Sequence, residues 1–276
     1  MPLISRRFPR LRALVLGSVI AVMLLGGCAS AGNPRDPFEP LNRGIYQFND
    51  GVDTVLFKPL AEVYQGLLPQ FVRTGVGNFF SNFQDVIVAL NNLLQGKVTD
   101  AGMDLCRIIV NSTFGLLGLI DVGTEIGLEK HQEDFGQTLG RWGMGSGPYI
   151  VIPFIGPSTV RDGVGLIADW KTDPLTYIKP TRTRNALFGV FFVNRRAELL
   201  SASKILEVAA LDPYEFVRDA YLQRRRNMVY DGNPPDEDDP EPEAKPKPGA
   251  SGPAPAPEKA PEPAAPATEK PVTGNK

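Results

Sequence analysis

Between Val72 and Leu94 the apolar residues Val72, Val76, Phe79, Phe80, Phe83, Val86, Ile87, Leu90 and Leu94 return mostly at steps of three and four. That spacing lines one side of an α-helix and does not fit the two-residue alternation of a half-buried strand. Gly96 ends the run. The opposite side is mainly uncharged: Asn78, Ser81, Asn82, Gln84, Asn91, Asn92 and Gln95, with Arg73 and Asp85 the only charges. Two environments suit such a helix. In a soluble domain the stripe faces a core; at a membrane it lies in the interfacial plane, with Phe79, Phe80, Phe83, Val86 and Ile87 toward lipid. The basic residues usual on an interfacial helix are missing, and the sequence leaves both readings open.

The remaining pattern is also helical. Leu41, Ile45, Phe48, Val52 and Val55 form a stripe expected to stop before Pro59, with Asn42, Asn49, Asp50 and Asp53 on its polar side. Thr99 and Asp100 open a helix continued by Leu105, Ile108 and Ile109, in which Cys106 is expected as a small buried hydrophobe. It runs into the glycine-punctuated segment from Asn111 to Asp121, which suits either tight helix packing or an apolar hairpin dipping toward lipid. Ser158 or Thr159 caps a helix striped by Val160, Val164, Ile167 and Trp170. Pro174 and Pro180 break the chain before a helix over residues 185–210. Asp212-Pro213-Tyr214-Glu215 then places an acid at the N-cap, proline at N1 and glutamate at N3. That last helix is expected to end near Arg224-Arg225-Arg226, as a solvated basic terminus.

The two ends of the chain set its location. Residues 1–27 carry Arg6, Arg7, Arg10 and Arg12 and no acid, then a mostly apolar stretch from Ala13 to Leu25 that is short of the roughly 20 residues a bilayer span needs. This is the layout of a secretory signal. It closes on Leu25-Gly26-Gly27-Cys28, which resembles a bacterial lipobox with Cys28 as the lipidated first residue of the mature chain; the plainer alternative is an ordinary signal with a chance cysteine. Ala29 and Ser30 follow, with no aspartate after the cysteine, a pattern resembling that of lipoproteins sent to the outer membrane. Residues 28–35 are then a lipidated linker. Residues 233–276 hold thirteen of the 26 prolines, no aromatic residue, nine acids and five lysines, and are expected to stay disordered as a spacer. The domain between, residues 36–232, is nearly neutral, which gives no basic stripe for nucleic acid.

From Gly136 to Gly147 the chain places five glycines in twelve residues: Gly136, Gly140, Gly143, Gly145 and Gly147. Such density implies sharp turns or a closely approached backbone, here read as a compact loop feeding the apolar run from Tyr149 to Ile155. A P-loop lacks its Lys and Ser/Thr, and a hydrolase elbow fails because Met144 stands where Gly-x-Ser-x-Gly needs glycine.

Catalytic sets are absent from the sequence. His131 is the single histidine and Cys106 the only cysteine besides Cys28, so no metal site or His-based triad is expected, and no cofactor. Glu129, Glu133 and Asp134 are placed in a polar loop without a nucleophile. An enzyme acting through buried acids is the remaining catalytic alternative.

Several blocks in one order carry a family resemblance. Asp36-Pro37-Phe38-Glu39-Pro40-Leu41-Asn42-Arg43, Tyr46-Gln47-Phe48-Asn49, Asn91-Asn92-Leu93-Leu94-Gln95-Gly96, Asn111-Ser112-Thr113-Phe114-Gly115, Asp134-Phe135-Gly136-Gln137-Thr138-Leu139-Gly140, Gly147-Pro148-Tyr149 and Asp212-Pro213-Tyr214 resemble the MlaA (VacJ) outer-membrane lipoproteins. The likeness runs from Cys28 to about Asp231; the proline-rich tail departs from it. It implies an all-α fold, a ring of amphipathic helices lying in the membrane plane, with a glycine-rich irregular segment. It also implies a non-enzymatic channel, lipid-anchored in the inner leaflet of the outer membrane and facing the periplasm. Its partners would be phospholipid, a trimeric porin and a periplasmic lipid carrier, and its task the return of misplaced outer-leaflet phospholipid. In that picture Phe79, Phe80, Phe83, Val86 and Ile87 face lipid or core, and Gly136, Gly140, Gly143, Gly145 and Gly147 shape the channel wall. The competing reading is a scaffolding lipoprotein that braces porins.

Overall fold

The structure, a computed structural model, describes Asn33 and residues 35–235. The signal segment, Cys28 and almost all of the proline-rich tail lie outside the described residues.

Nine α-helices and one hairpin make up the described chain: α1 (Glu39–Val52), α2 (Lys58–Leu67), α3 (Gln70–Leu94), α4 (Val98–Thr113), α5 (Val122–Glu125), α6 (Phe135–Arg141), β1 (Tyr149–Ile152), β2 (Gly156–Thr159), α7 (Val160–Thr172), α8 (Thr181–Ala209) and α9 (Pro213–Val229). The fold is mostly helical, as expected, and the two-stranded sheet is an addition to that expectation. Helix α3 packs along α4, α2 along α8, and α6 along α7, while α9 lies against α6 and β2.

The expected stop before Pro59 does not occur. A π-helical turn, Asp53–Phe57, joins α1 to α2, and Lys58 N–H reaches back five residues to the Asp53 carbonyl. This widened turn absorbs a proline that has no amide to give and whose ring would collide with a regular ladder. The helix expected over 185–210 starts earlier, because Pro180 serves as its N-cap and Thr181 begins it. The caps otherwise follow the sequence: the Thr159 side chain accepts from Asp162 N–H, and Asp212 accepts from the Tyr214 and Glu215 amides.

The hairpin pairs Tyr149 with Thr159 and Ile152 with Gly156. Helix α1 covers the free edge of β1 with two asparagines. Asn42 donates to Tyr149 O at 3.1 Å and accepts from Val151 N–H at 2.9 Å; Asn49 donates to Ile152 O at 3.0 Å and accepts from Phe154 N–H at 2.8 Å. The seven helical steps from Asn42 to Asn49 rise about 10.5 Å, and the three strand steps from Tyr149 to Ile152 rise about 10 Å. The matched lengths let one helix face stand in for a third strand, so the edge is not left open.

Buried apolar clusters are small. Ala61, Ala197 and Leu200 form one, with Tyr64 against it; Tyr149, Val151 and Tyr214 form another, bordered by Ile45, Tyr46, Tyr221 and Leu222. Most of the interior is polar instead.

Candidate functional site

Three helices are turned opposite to the arrangement of a water-soluble domain. In α3 the buried positions include Asn82, Asp85, Asn91 and Asn92, while Val86, Leu90, Leu93 and Leu94 are exposed. In α4 Asp104, Arg107 and Asn111 point inward and Leu105 and Ile109 outward; in α7 Arg161 and Asp162 are buried and Val160, Val164, Ile167 and Trp170 exposed. Single exposed apolar residues are ordinary on any protein; a whole helical stripe directed outward over a polar interior is not. Cys106 follows the outward side of α4 and is exposed, which corrects the expectation of a buried thiol. Its neighbours Asp104, Arg107 and Asn111, at steps of three and four, take the inner face instead.

Dense hydrogen bonding makes this interior tolerable, since a buried polar group without a partner is costly. Arg107, wholly buried, grips both oxygens of Asp121 at 2.8 and 2.9 Å, and donates to Thr124 Oγ1 at 3.1 Å and Leu128 O at 2.7 Å. Burial acts to raise the Asp121 carboxyl pKa, but hydrogen bonds from Thr124, Arg107 and Asn111 outweigh it and bring it down to about 2. Asp85 pairs with Lys130 at 2.8 Å, yet burial still raises it. Asn92 donates to Asp104 at 2.7 Å, and His131 Nδ1 lies 2.9 Å from the same carboxylate.

A second cluster joins α6, α7 and α9. Arg225 donates to both oxygens of Asp162 and to Asp134, whose other role is to cap α6 by accepting from Gln137 N–H at 2.9 Å. Arg225 is therefore interior, not the solvated helix end expected of the Arg224-Arg225-Arg226 run, because α9 continues to Val229 and this side chain faces two carboxylates. Burial acts to raise both carboxyls and the guanidinium overrides it, holding them below the usual carboxylate range. Asp169 differs. It accepts from Phe135 N–H and from Asn91 Nδ2, but among the described residues no cation lies within ion-pair distance, and burial raises its pKa to about 6 against the weaker pull of Arg225.

The five glycines divide into two groups. Gly136 and Gly140 lie within α6, not in a loop, and allow tight packing: a Cβ on Gly136 would stand 2.7 Å from Asp162 Oδ1, and one on Gly140 2.9 Å from Val229 Cγ1. Gly143, Gly145 and Gly147 lie in the exposed segment after α6, with φ of +91° at Gly143 and +66° at Gly147. Asn111 to Asp121 shows the tight packing expected of its glycines and leaves apolar side chains on the surface. Gly115 and Gly118 pack where a Cβ would meet Ile120 O and Asn82, while Phe114, Leu116 and Leu117 stay exposed. No helix among the described residues is long and apolar enough to cross a membrane.

A cleft of about 560 Å³ opens between α3, α8 and the end of α2. Its walls are mostly neutral polar groups, among them Gln65, Thr74, Asn78, Ser81 and Gln84, and Phe80 and Phe191 meet edge to face there at 5.3 Å. Of the apolar residues singled out from sequence, Phe80 is buried at this cleft; Phe79 and Phe83 are half-buried and meet edge to face at 5.0 Å; Ile87 is half-buried and Val86 exposed. Gly77 brings the two helices together, since a Cβ there would lie 3.0 Å from Glu198 Oε1. None of the five glycines from Gly136 to Gly147 lines this cleft. Sequence reasoning passed over Arg107 and Asp121, although an arginine inside Leu105-Cys106-Arg107-Ile108-Ile109 is itself a sign of a buried ion pair.

Residues 34–228 match the family model described as MlaA lipoprotein. The chain is 36% identical over 230 residues to the intermembrane phospholipid transport system lipoprotein MlaA of Escherichia coli (strain K12), with 78% of this chain and 86% of that one covered. It is 29% identical over 237 residues to the protein of the same description from Haemophilus influenzae, covering 79% and 91%. A solved structure described as "Structural basis for maintenance of bacterial outer membrane lipid asymmetry" superposes with a TM-score of 0.62 at 32% identity, over 70% of this chain and 98% of that chain.

Proposed function

The chain belongs to the MlaA lipoprotein family, and from that premise we propose that it is the lipoprotein of an intermembrane phospholipid transport system that maintains outer-membrane lipid asymmetry. Cys28 carries the lipid anchor. The helical domain forms a ring within the inner leaflet of the outer membrane, its apolar stripes against acyl chains and its polar interior around the path of the head group.

The observation that carries this reading is the outward turn of the apolar stripes of α3, α4 and α7 over buried Asn, Asp and Arg. A phospholipid crossing such a ring exchanges water for fixed amides and hydroxyls at its head group, avoiding the several kcal/mol that stripping a charged group into hydrocarbon costs. Its tails stay in lipid. No bond is made or broken, and neither cofactor nor catalytic residue takes part. The lipid leaves toward a periplasmic carrier, and a trimeric porin holds the ring in the membrane. The segment from Gly136 to Gly147 shapes the wall, with Gly136 and Gly140 setting how closely α6 approaches α7 and α9.

Surface-exposed phospholipid in cells lacking the gene tests the reading. It should rise, return to normal with the intact gene and stay high with Cys28→Ala; an unchanged level in the deleted cells would contradict it. A brace for porins predicts the same anchor but no lipid flow, so failure of the purified chain to move phospholipid between vesicles would favour that alternative.

A further inference from the structure

Among the described residues, one cation of the cleft between α3 and α8 has no carboxylate partner. Arg73 lines the cleft, and among the described residues its guanidinium has no carboxylate within ion-pair distance; it donates from Nη2 to the neutral Gln70 Oε1 at 2.6 Å. Its Nε is buried without an acceptor. The buried arginines among the described residues are each gripped by acids: Arg107 by Asp121, Arg161 by Asp162, Arg218 by Asp36 and Asp219, Arg225 by Asp134 and Asp162. Even within the cleft, Arg195 is paired with Glu198 at 3.2 Å. An ionised donor left unsatisfied is expensive, so an arginine held this way on a cavity wall is matched to an anion from outside.

We infer that Arg73 is the phosphate-binding residue of this cleft, holding the phosphodiester of a phospholipid while the rest of the head group lies among the neutral amides and hydroxyls. This rests on the phospholipid-transport reading above and adds the group that recognises the substrate. A guanidinium presents parallel N–H donors to two phosphate oxygens, whereas Gln65, Thr74, Asn78 and Ser81 carry no charge and bind ethanolamine, glycerol or other head groups alike. Phe191, half-buried and backed edge to face by the buried Phe80, offers an apolar surface to the glycerol end of the tails. Nearly neutral walls with one anion handle suit brief residence, because a wall of many cations would hold the phosphate too tightly for passage.

The test uses the full chain purified in mild detergent and incubated with phosphatidylethanolamine, with diacylglycerol of the same acyl chains, and with inorganic phosphate as competitor. The intact chain should retain the phospholipid in preference to diacylglycerol. Arg73→Gln should reduce that retention about tenfold, the loss expected when a charged hydrogen bond is removed, and bring it to the diacylglycerol level; Arg73→Lys should restore part. Arg73 makes one neutral contact, so the variant should melt with the intact chain. If the intact chain retains no phospholipid, the transport reading fails along with this inference. Equal phospholipid retention by intact chain and Arg73→Gln overturns the inference alone, and displacement by millimolar phosphate with the same Arg73 dependence assigns the site to free phosphate and removes the lipid.

Discussion

Arg225 clasps Asp162 across 63 residues of sequence, from Nε to Oδ2 at 3.0 Å and from Nη2 to Oδ1 at 2.9 Å, and thereby ties α9 to α7. The same guanidinium neutralises the half-buried Asp134, so its removal strips Asp134 of that partner and leaves the buried Asp162 with Arg161 as its only cation among the described residues. Arg225→Met should cost about 3–5 kcal/mol in denaturant unfolding in detergent, the range for breaking a buried pair on one side. Arg225→Lys should recover little, since an ammonium lacks the fork that spans both acids. A loss below about 1 kcal/mol for Arg225→Met would mean the cluster is not what joins these helices.

Asp169 should make stability fall as pH rises through the acid range. Its folded pKa of about 6 lies above the unfolded value of about 3.9. Between those values the folded chain holds more protons, so the cost of the buried charge is absent below about 3.9 and complete above about 6. Asp134 and Asp162 act oppositely: their folded pKa values are lowered, and the stability they bring is present above about 3.9 and lost as pH falls below it. Urea midpoints from pH 3 to 7 should show a maximum in the acid range, and Asp169→Asn should flatten the descending side. An unchanged descent in that variant would place the titration elsewhere.

Gly165 and Gly102 should respond differently to the same substitution. A Cβ on Gly165 would stand 2.4 Å from the backbone nitrogen of Gly136, which cannot move without shifting α6. Gly102 has open space around its Cβ position. Gly165→Ala should destabilise by about 1–3 kcal/mol through overpacking, and Gly102→Ala should stabilise by up to about 1 kcal/mol as ordinary helix propensity. Thermal melts in detergent measure both, and equal shifts would exclude the close approach of α6 and α7.

Much of this architecture was legible in the residues. The three-and-four spacing located α3, α4 and α7, and Asp212 and Thr159 marked helix starts because capping is a local interaction. The direction of each stripe was not legible, because periodicity gives the axis of amphipathicity and the surroundings decide which side turns in. The ion pairs of Arg107 and Arg225 were missed for a related reason: nothing local in the chain links Arg225 to an acid 63 residues away. The hairpin escaped because four-residue strands are too short for a period to register, and its pairing depends on Asn42 and Asn49 of a distant helix.

The outward stripes should matter for membrane binding and not for folding. Ile109→Gln combined with Ile167→Gln removes two exposed apolar side chains, and full burial of such a chain in lipid is worth about 1.5–3 kcal/mol each. Flotation of the full chain with phospholipid vesicles should fall by about tenfold or more, while denaturant midpoints stay within about 0.5 kcal/mol of the intact chain. A large loss of stability with undiminished flotation would show these residues to be core.

Trp170 tests the inverted fold most directly. It is one of two tryptophans, lies on the exposed stripe of α7 and is 63% exposed. In a Trp142→Phe background, vesicles containing lipids brominated along their acyl chains should quench Trp170 strongly, while aqueous iodide leaves it unaffected. Quenching by iodide with no response to bromine would put the stripe in water and contradict the account.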